Sequence, residues 1–192
     1  AGVSEDSLAD LPFATWTGES CGGAVEAAVT EEQPGRYVFP ERPVLARGGV
    51  GRILRAQDLH LGREVAVKEL LDDAGQAEST TASTASVVLR FLREARVTGQ
   101  LEHPSIVPVY ELGRRVDGSL YYTMKLIRGR TLSDALRDGS SLQARLGLLG
   151  HFEDVCAAVA YAHSRGVVHR DLKPANVMVG EFGETVMLDW GL

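Results

Sequence analysis

One short stretch near the end of the sequence, residues 169–176, constrains the fold and chemistry of this chain more than any other. It holds Asp171, Lys173 and Asn176, and Asp189 follows after a short hairpin. Carboxylate and amide oxygens are ligands that Mg²⁺ prefers. A transferring phosphoryl group is handled mainly by positioning and charge neutralisation. These residue types in this order therefore indicate a phosphoryl-transfer site.

Each of these side chains has a candidate role. Asp171 is the candidate base, which orients a substrate hydroxyl and accepts its proton. Lys173, two residues later, can place a positive charge on the transferring phosphoryl group. Asn176 and Asp189 are the candidate magnesium ligands because both offer oxygen atoms.

These residues belong to two longer motifs. Residues 169–176 match the signature H-R-D-L-x-x-x-N, and residues 189–191 match the D-x-G motif that follows it. On these motifs the chain resembles the protein kinase superfamily. The Leu-Lys-Pro at 172–174 is similar to Ser/Thr kinases, and Trp190, where most relatives carry phenylalanine, resembles bacterial kinases of the PknB-like group. A polar loop without a catalytic role is the alternative, which the agreement of eight residues in order disfavours.

The resemblance covers about residues 37–192 and implies an α+β, protein-kinase-like fold. A small lobe of antiparallel β-sheet with an αC helix, and the hinge, would occupy residues 37–127. Residues 128–192 would form the first part of a mainly helical large lobe, and we expect the chain to be a fragment truncated after the D-x-G motif. Residues 1–36 are acidic and interrupted by glycine and proline, which predicts a flexible leader, with a docking segment for another domain as the alternative.

Residues 44–56 resemble the glycine-rich hairpin of kinases, in which glycines let backbone N–H groups approach phosphate oxygens. Ala46 stands in place of the first glycine of the family pattern. The resemblance implies an ATP site that combines this hairpin with strand and hinge residues. Its expected members are Leu45, Gly48, Gly49, Gly51, Ile53, Ala66, Lys68, Met124, Lys125, Leu126 and Met178.

The strand that carries the expected phosphate-binding lysine follows this hairpin. Alternation over residues 64–70 places Ala66 and Lys68 on one face. In the kinase pattern Lys68 holds the α- and β-phosphates, and Ala66 leaves room for the adenine ring. An edge-strand lysine in solvent is the alternative.

A partner for this lysine is available in the next helix. Helical spacing over residues 88–97 places Glu94 where the family has the glutamate that pairs with the strand lysine. A surface pair between Glu94 and Arg90 is the alternative.

The rest of the pattern assigns secondary structure around these motifs. It predicts a low-complexity loop at 72–86, strands at 106–112 and 119–124, a helix opened by a capping box at Thr131, one long helix over 142–164, and a hairpin over 177–188. We expect Cys156 to lie in the core. The resemblance implies that His169 is architectural and packs beneath the magnesium-binding turn, so it is not assigned the role of base.

Charge and cysteine content exclude several classes of partner. Residues 1–43 hold eight acidic residues against two arginines, which accounts for the net charge of −6. Without a basic field, we expect no nucleic-acid partner. Cys21 and Cys156 form neither a metal-ligand spacing nor a disulfide framework, which favours a cytoplasmic location. No apolar run in this chain is long enough for a membrane segment, and a membrane anchor elsewhere in the protein is the alternative that stays open.

The resemblance thus implies a Ser/Thr protein kinase that uses ATP and Mg²⁺ to phosphorylate a protein Ser/Thr hydroxyl. Its catalytic residues would be Asp171, Lys173, Lys68 and Glu94, and its metal ligands Asn176 and Asp189. A nucleotide-binding pseudokinase or regulatory scaffold is one alternative, and a small-molecule phosphotransferase is another. From the isolated chain we expect little or no activity.

Overall fold

The structure is a computed structural model, and it describes residues 29–48, 51–71, 81–139 and 141–190. The strands are β1 (Thr30–Glu31), β2 (Tyr37–Val38), β3 (Val44–Arg47), β4 (Gly51–Asp58), β5 (Arg63–Leu70), β6 (Val109–Arg114), β7 (Leu120–Lys125), β8 (Gly129–Thr131), β9 (Val177–Gly180) and β10 (Thr185–Met187). The helices are α1 (Thr81–Gly99), α2 (Leu132–Asp138), α3 (Leu142–Leu146) and α4 (Leu149–Ser164), with a 3₁₀ turn at Pro174–Asn176.

The first part of the described chain forms a sheet. Its strand order is β1-β6-β7-β5-β4-β2, and β3 also pairs with β4. Strands β4 and β5 are antiparallel along their whole length, from Gly51 opposite Leu70 to Asp58 opposite Arg63. Strands β5, β7 and β6 continue the antiparallel pattern. An antiparallel sheet followed by helices agrees with the predicted α+β class.

Apolar residues cover both faces of this sheet. On one face, Phe91, Leu92 and Ala95 of α1 are buried together with strand residues such as Ala66 and Tyr122. Their spacing in the sequence places them on one stripe of the helix. The other face buries a second cluster, composed of Tyr37, Leu54, Ala56, Val65, Val67 and Tyr121. Alternation along β5 and β7 therefore supplies both clusters, because successive side chains point to opposite faces.

Helix α1 begins earlier than the sequence predicted. The low-complexity segment 72–86 was expected to be a loop, but α1 starts at Thr81. Residues 81–86 contain two alanines among serines and threonines. The low helix propensity of serine and threonine does not prevent helix formation when packing holds the following turns. Residues 72–80 lie outside the described part of the chain.

The predicted long helix over 142–164 is two helices. Ser141 caps α3 by accepting a hydrogen bond from the amide of Ala144, and α3 ends at Gly147, whose amide bonds to the Gln143 carbonyl. Helix α4 starts two residues later. The expected core position of Cys156 is wrong, because α4 buries the stripe of Val155, Ala158 and Ala162, and Cys156 lies off that stripe and is exposed.

The shorter predictions differ only at their ends. The capping box is confirmed, since Thr131 Oγ1 accepts from the Asp134 amide at 3.0 Å and α2 follows. The strand expected at 106–112 runs from Val109 to Arg114, while Ile106 makes an isolated parallel bridge to Met187. Strands β9 and β10 form the predicted hairpin, and β8 adds a third strand to it.

Residues 29–36 are structured, although they fall within the stretch expected to be a flexible leader. Strand β1 runs parallel to β6, with Thr30 opposite Gly113. Glu32 accepts a hydrogen bond from Arg115 at 2.6 Å, and Arg36 pairs with Asp58. Charged partners on the sheet therefore order this segment, and residues 1–28 lie outside the described chain. Among the described helices, none is long and apolar enough to cross a membrane.

Candidate active site

A cleft of about 740 Å³ lies where the large sheet, α1 and the β9 hairpin meet. On its sheet side Ala66 and Met124 are direct cross-strand neighbours, and Met178 of β9 also lines it. Most of the residues predicted for ATP binding line this cleft. They are Leu45, Gly48, Gly51, Ile53, Ala66, Lys68, Met124, Lys125, Leu126 and Met178. Gly49 lies outside the described residues.

The glycines of the hairpin are needed for different reasons. A Cβ at Gly51 would collide with the carbonyl oxygen of Glu69 on the neighbouring strand. A Cβ at Gly48 would meet only the Gly51 carbonyl, at 3.9 Å. Gly51 is therefore required by the pairing of β4 with β5, while Gly48 leaves space beside the cleft.

Lys68 lies at the centre of the charged part of the cleft. Its Nζ is 2.5 Å from Glu94 Oε1 and 2.8 Å from Asp189 Oδ1. Burial opposes the charge of Lys68, but the negative charges of Glu94 and Asp189 outweigh this effect, so the pKa of Lys68 is raised above its ordinary value. Glu94 is itself buried and faces Lys68, not solvent. The structure thus brings together three residues from β5, α1 and the segment after β10.

The loop before β9 holds a second group of polar side chains. Lys173 Nζ lies 2.6 Å from Asp171 Oδ2, and the side-chain amide of Asn176 donates to the Asp171 carboxylate at 3.1 Å. The hydrogen bond from Lys173, followed by that from Asn176, lowers the pKa of Asp171. Asn176 Nδ2 also donates to the Asp171 backbone carbonyl at 2.9 Å, which fixes the shape of the loop. Asp171 is therefore held ionised, with its side chain partly open to solvent.

The backbone around these residues has unusual dihedral angles. Asp189 adopts φ 58° and Arg170 adopts φ 67°, both in the left-handed region that non-glycine residues rarely occupy. Such conformations concentrate at functional sites, where surrounding contacts hold them. One such contact joins the loop that contains Arg170 to the turn that contains Asp189, because the Leu188 amide donates to the Asn176 carbonyl at 2.9 Å.

Comparison with known proteins decides the family. The model of the protein kinase domain matches residues 39–192. The chain belongs to the protein kinase domain family. This confirms the predicted resemblance and the α+β kinase fold.

Several relatives of this kinase domain are bacterial. The chain is 38% identical over 159 residues to the serine/threonine-protein kinase PknD of Protochlamydia amoebophila (strain UWE25), an alignment covering 77% of this chain and 15% of that protein. It is 39% identical to PknD of Chlamydia pneumoniae over 158 residues, and 40% identical to PknD of Chlamydia muridarum (strain MoPn / Nigg) over 162 residues, each covering 77% of this chain and 16% of the relative. The chain thus spans about one sixth of the length of these relatives.

His169 of the kinase domain supports the turn that carries Asp189. Its Nε2 donates to the Leu188 carbonyl at 3.0 Å, and its ring lies 4.7 Å from the ring of Trp190. Both side chains are buried, and Trp190 is fully so. The larger ring of tryptophan is thus accommodated by direct packing on His169, which gives His169 a supporting position and no contact with the cleft.

The donor set at this turn fits a magnesium ion. Asn176 and Asp189 both line the cleft, and Asn176 uses its amide nitrogen toward Asp171, so its Oδ1 is the atom left for a metal. An amide oxygen and a carboxylate are the hard ligands that Mg²⁺ takes in kinases, where the nucleotide phosphates and waters supply the others.

Several residues at the cleft, Tyr122, Thr131 and Asp134 among them, are not predicted from the sequence. Tyr122 of β7 donates to Glu94 Oε1 at 2.5 Å. Its position two residues before Met124 in an alternating strand was the available signal, because i and i+2 share a face. Thr131 and Asp134, at the start of α2, also line the cleft. The capping box predicted their helix but not their place beside the cleft.

Proposed function

We propose that the protein transfers the γ-phosphoryl group of MgATP to a serine or threonine hydroxyl of a protein substrate. The observation that carries this proposal is the pairing of Lys68 with both Glu94 and Asp189 inside the cleft. A lysine held between two carboxylates is charged and fixed in place, as the binding of nucleotide phosphates requires. The Ser/Thr kinases named among the relatives support the same reaction.

The apolar end of the cleft suits the adenine base. Ala66 is small and leaves space, while Met124 and Met178 add apolar side chains to the lining of the cleft. The backbone of Lys125 and Leu126 would pair with the polar edge of the base, since both residues line the cleft where β7 ends. The glycine-rich hairpin would cover the phosphates, and its expected contributors are Leu45, Gly48, Gly49, Gly51 and Ile53.

The charged end of the cleft suits the phosphates. Lys68 would bind the α- and β-phosphates, with Glu94 holding its ammonium group in position. Asn176 and Asp189 would hold Mg²⁺. When bound, this ion would neutralise part of the negative charge of the phosphates. Lys68 and Asp189 are already in contact at 2.8 Å, so the lysine and the metal ligand are directed to the same part of the cleft.

Transfer itself would use the loop of Asp171. The substrate hydroxyl donates its proton to the Asp171 carboxylate as its oxygen bonds to the γ-phosphorus, and the bond from that phosphorus to the β-phosphate oxygen breaks. The lowered pKa makes Asp171 a weak base, so its main contribution is to orient the hydroxyl. Lys173, 2.6 Å from Asp171, would place its charge beside the transferring group.

We also assign the lobes and the location. Residues 37–127 are proposed as the small lobe with the hinge, and 128–192 as the first part of the large lobe. The cytoplasm is proposed as the location, because Cys21 and Cys156 are far apart in the sequence and form no disulfide framework.

Phosphate transfer by the full-length protein tests the proposed function. The protein containing this chain is incubated with γ-labelled ATP, Mg²⁺ and a general Ser/Thr acceptor protein, alongside the variants Lys68→Met, Asp171→Asn and Asp189→Asn. We expect label on serine or threonine from the wild type and a loss of at least about 100-fold in each variant, because each removes a charge that acts in the transition state.

Asp117→Asn is the matched control, since Asp117 is exposed in the turn before β7 and bonds only to Ser119 among the described residues. This variant should transfer phosphate like the wild type. An inactive wild type, or variants that retain its rate, would contradict the proposed function.

A further inference from the structure

A buried hydroxyl shares the carboxylate that holds Lys68. The Tyr122 hydroxyl donates to Glu94 Oε1 at 2.5 Å, and Lys68 Nζ reaches the same oxygen at 2.5 Å. Tyr122 is 3% exposed and Glu94 is 4% exposed. A hydrogen bond to a buried carboxylate is stronger than one between neutral groups, and its loss leaves the charge less well solvated.

Strand register explains why Tyr122 reaches this carboxylate. Lys68 of β5 and Tyr122 of β7 are directly opposite in the sheet, so their side chains point to the same face, toward α1. Phe91, one turn before Glu94 on α1, packs its ring 5.3 Å from that of Tyr122. Tyr122 therefore contacts α1 at two successive turns, once through its ring and once through its hydroxyl.

The environment keeps this hydroxyl protonated. Burial, followed by the negative charge of Glu94, holds the pKa of Tyr122 well above its usual range. The Tyr122 hydroxyl therefore stays protonated near neutral pH and can donate a hydrogen bond to Glu94. Lys68, by contrast, divides its contacts between Glu94 and Asp189, the second at 2.8 Å. Within the described residues, the Tyr122 hydroxyl donates to Glu94.

We propose that Tyr122 is a positioning residue for phosphoryl transfer, whose hydroxyl holds Glu94, and through it α1 and Lys68, in the arrangement that binds the nucleotide phosphates. This inference rests on the proposed function. When Lys68 turns toward a phosphate, Glu94 loses part of its interaction with the ammonium group. The bond from Tyr122 then keeps the carboxylate satisfied and α1 in place.

The first test is Tyr122→Phe in the full-length protein, measured as kcat and KM for ATP. Phenylalanine keeps the ring packed on Phe91 and removes only the hydroxyl. We expect kcat/KM for ATP to fall roughly tenfold, the effect of losing one hydrogen bond to a charged group. The matched control is Tyr121→Phe, one residue earlier on the opposite face of the sheet. Its buried hydroxyl has no hydrogen-bond partner among the described residues, and kcat/KM should stay within about twofold of the wild type.

A double-mutant cycle separates positioning from a purely structural role. If Tyr122 acts through Glu94, Tyr122→Phe should change kcat/KM by less than about twofold in a Glu94→Ala background, in which no side-chain oxygen is left to accept from the hydroxyl. Full additivity would overturn the inference, as would an unchanged kcat/KM for Tyr122→Phe alone. Hydrogen exchange gives a readout independent of turnover, because Tyr122→Phe should speed exchange of the amides in α1 and Tyr121→Phe should not.

These outcomes are distinct from failure of the proposed function. A wild-type protein that transfers no phosphate contradicts the proposed function itself. A wild type that is active, together with a Tyr122→Phe variant that matches it in kcat/KM and in α1 exchange, contradicts only the role of Tyr122.

Discussion

Lys68 and Asp189 form an ion pair of 2.8 Å across the cleft, although they are 121 positions apart in the sequence. This contact joins the large sheet to the turn after β10. Because the two residues share one site, removal of either should abolish nucleotide binding.

We expect MgATP to stabilise the full-length protein by roughly 2–3 kcal/mol when ATP is present at about 100 times its Kd. Lys68→Met and Asp189→Asn should remove that stabilisation, since each eliminates one group that binds phosphate or metal. Thermal unfolding with and without MgATP measures the effect. A variant that is stabilised as much as the wild type would rule out its assigned role in nucleotide binding.

The pair of Asp58 with Arg36 should make stability depend on pH. Asp58 is buried, and its carboxylate accepts hydrogen bonds from the Arg36 guanidinium and from the His60 amide at 3.0 Å. Burial alone would raise its pKa, but the bonds from Arg36 and His60 lower it below the ordinary value of 3.8. Its contribution is therefore fully present above pH 3.8 and disappears as the pH falls through the lower, folded-state pKa.

Asp58→Asn should then lower the free energy of unfolding by about 1–3 kcal/mol at pH 7. The difference from wild type should remain constant down to pH 5 and shrink below pH 3.8. Urea unfolding at a series of pH values measures it. Asp138→Asn is the control, because Asp138 and Arg130 are both largely exposed and their pair should contribute less than about 1 kcal/mol. A pH-independent cost of Asp58→Asn would contradict this account.

Arg115 should hold β1 on the sheet. Its guanidinium pairs with Glu32 at 2.6 Å and also with Glu69, and it lies 4.9 Å from the centre of the Tyr121 ring. Arg115→Met removes this partner from two largely buried carboxylates, whose side chains are 14% and 8% exposed, and this should cost about 3–5 kcal/mol.

Hydrogen exchange should detect the loss locally. The Glu32 amide donates to the Arg114 carbonyl at 2.8 Å, and this bond should open more often in Arg115→Met. Arg137→Met is the matched control, since Arg137 pairs with Asp134 on an exposed surface. Unchanged protection of residues 29–32 in Arg115→Met would mean that other contacts hold β1.

Gly113 of β6 should not tolerate a side chain. A Cβ there would lie 2.5 Å from Cζ of the buried Tyr121 ring. Gly113→Ala should therefore cost about 1–3 kcal/mol through overpacking. At Gly150 in α4 a Cβ meets nothing within 4 Å, so Gly150→Ala should be neutral or stabilise the protein by up to about 1 kcal/mol. Equal urea midpoints for the two variants would show that the Tyr121 ring moves freely.

The catalytic motifs were accessible from the sequence because their residues are close together in the chain. Asp171 and Asn176 are five positions apart, and their hydrogen bond forms within one loop. The Thr131 cap and the β9–β10 hairpin are local in the same sense. Local hydrogen-bonding patterns leave a signature in residue spacing.

The errors arose where distant contacts override local preference. Residues 81–86 were assigned to a loop from their serine and threonine content, yet they are helical as part of α1. Cys156 was placed in the core from the apolar spacing of 142–164. Helix α4 instead buries the stripe of Val155, Ala158 and Ala162, and Cys156 lies beside this stripe and is exposed.

By itself, the sequence determined the family, the order of the phosphoryl-transfer residues and the strand that carries Lys68, because this chemistry requires particular side chains at particular spacings. Only the tertiary structure decided which partners those side chains have. Tyr122 reaches Glu94, and Arg115 reaches Glu32 across 83 positions, because sheet register and helix docking bring them together. No local spacing encodes such contacts, since they depend on how separate elements pack against each other.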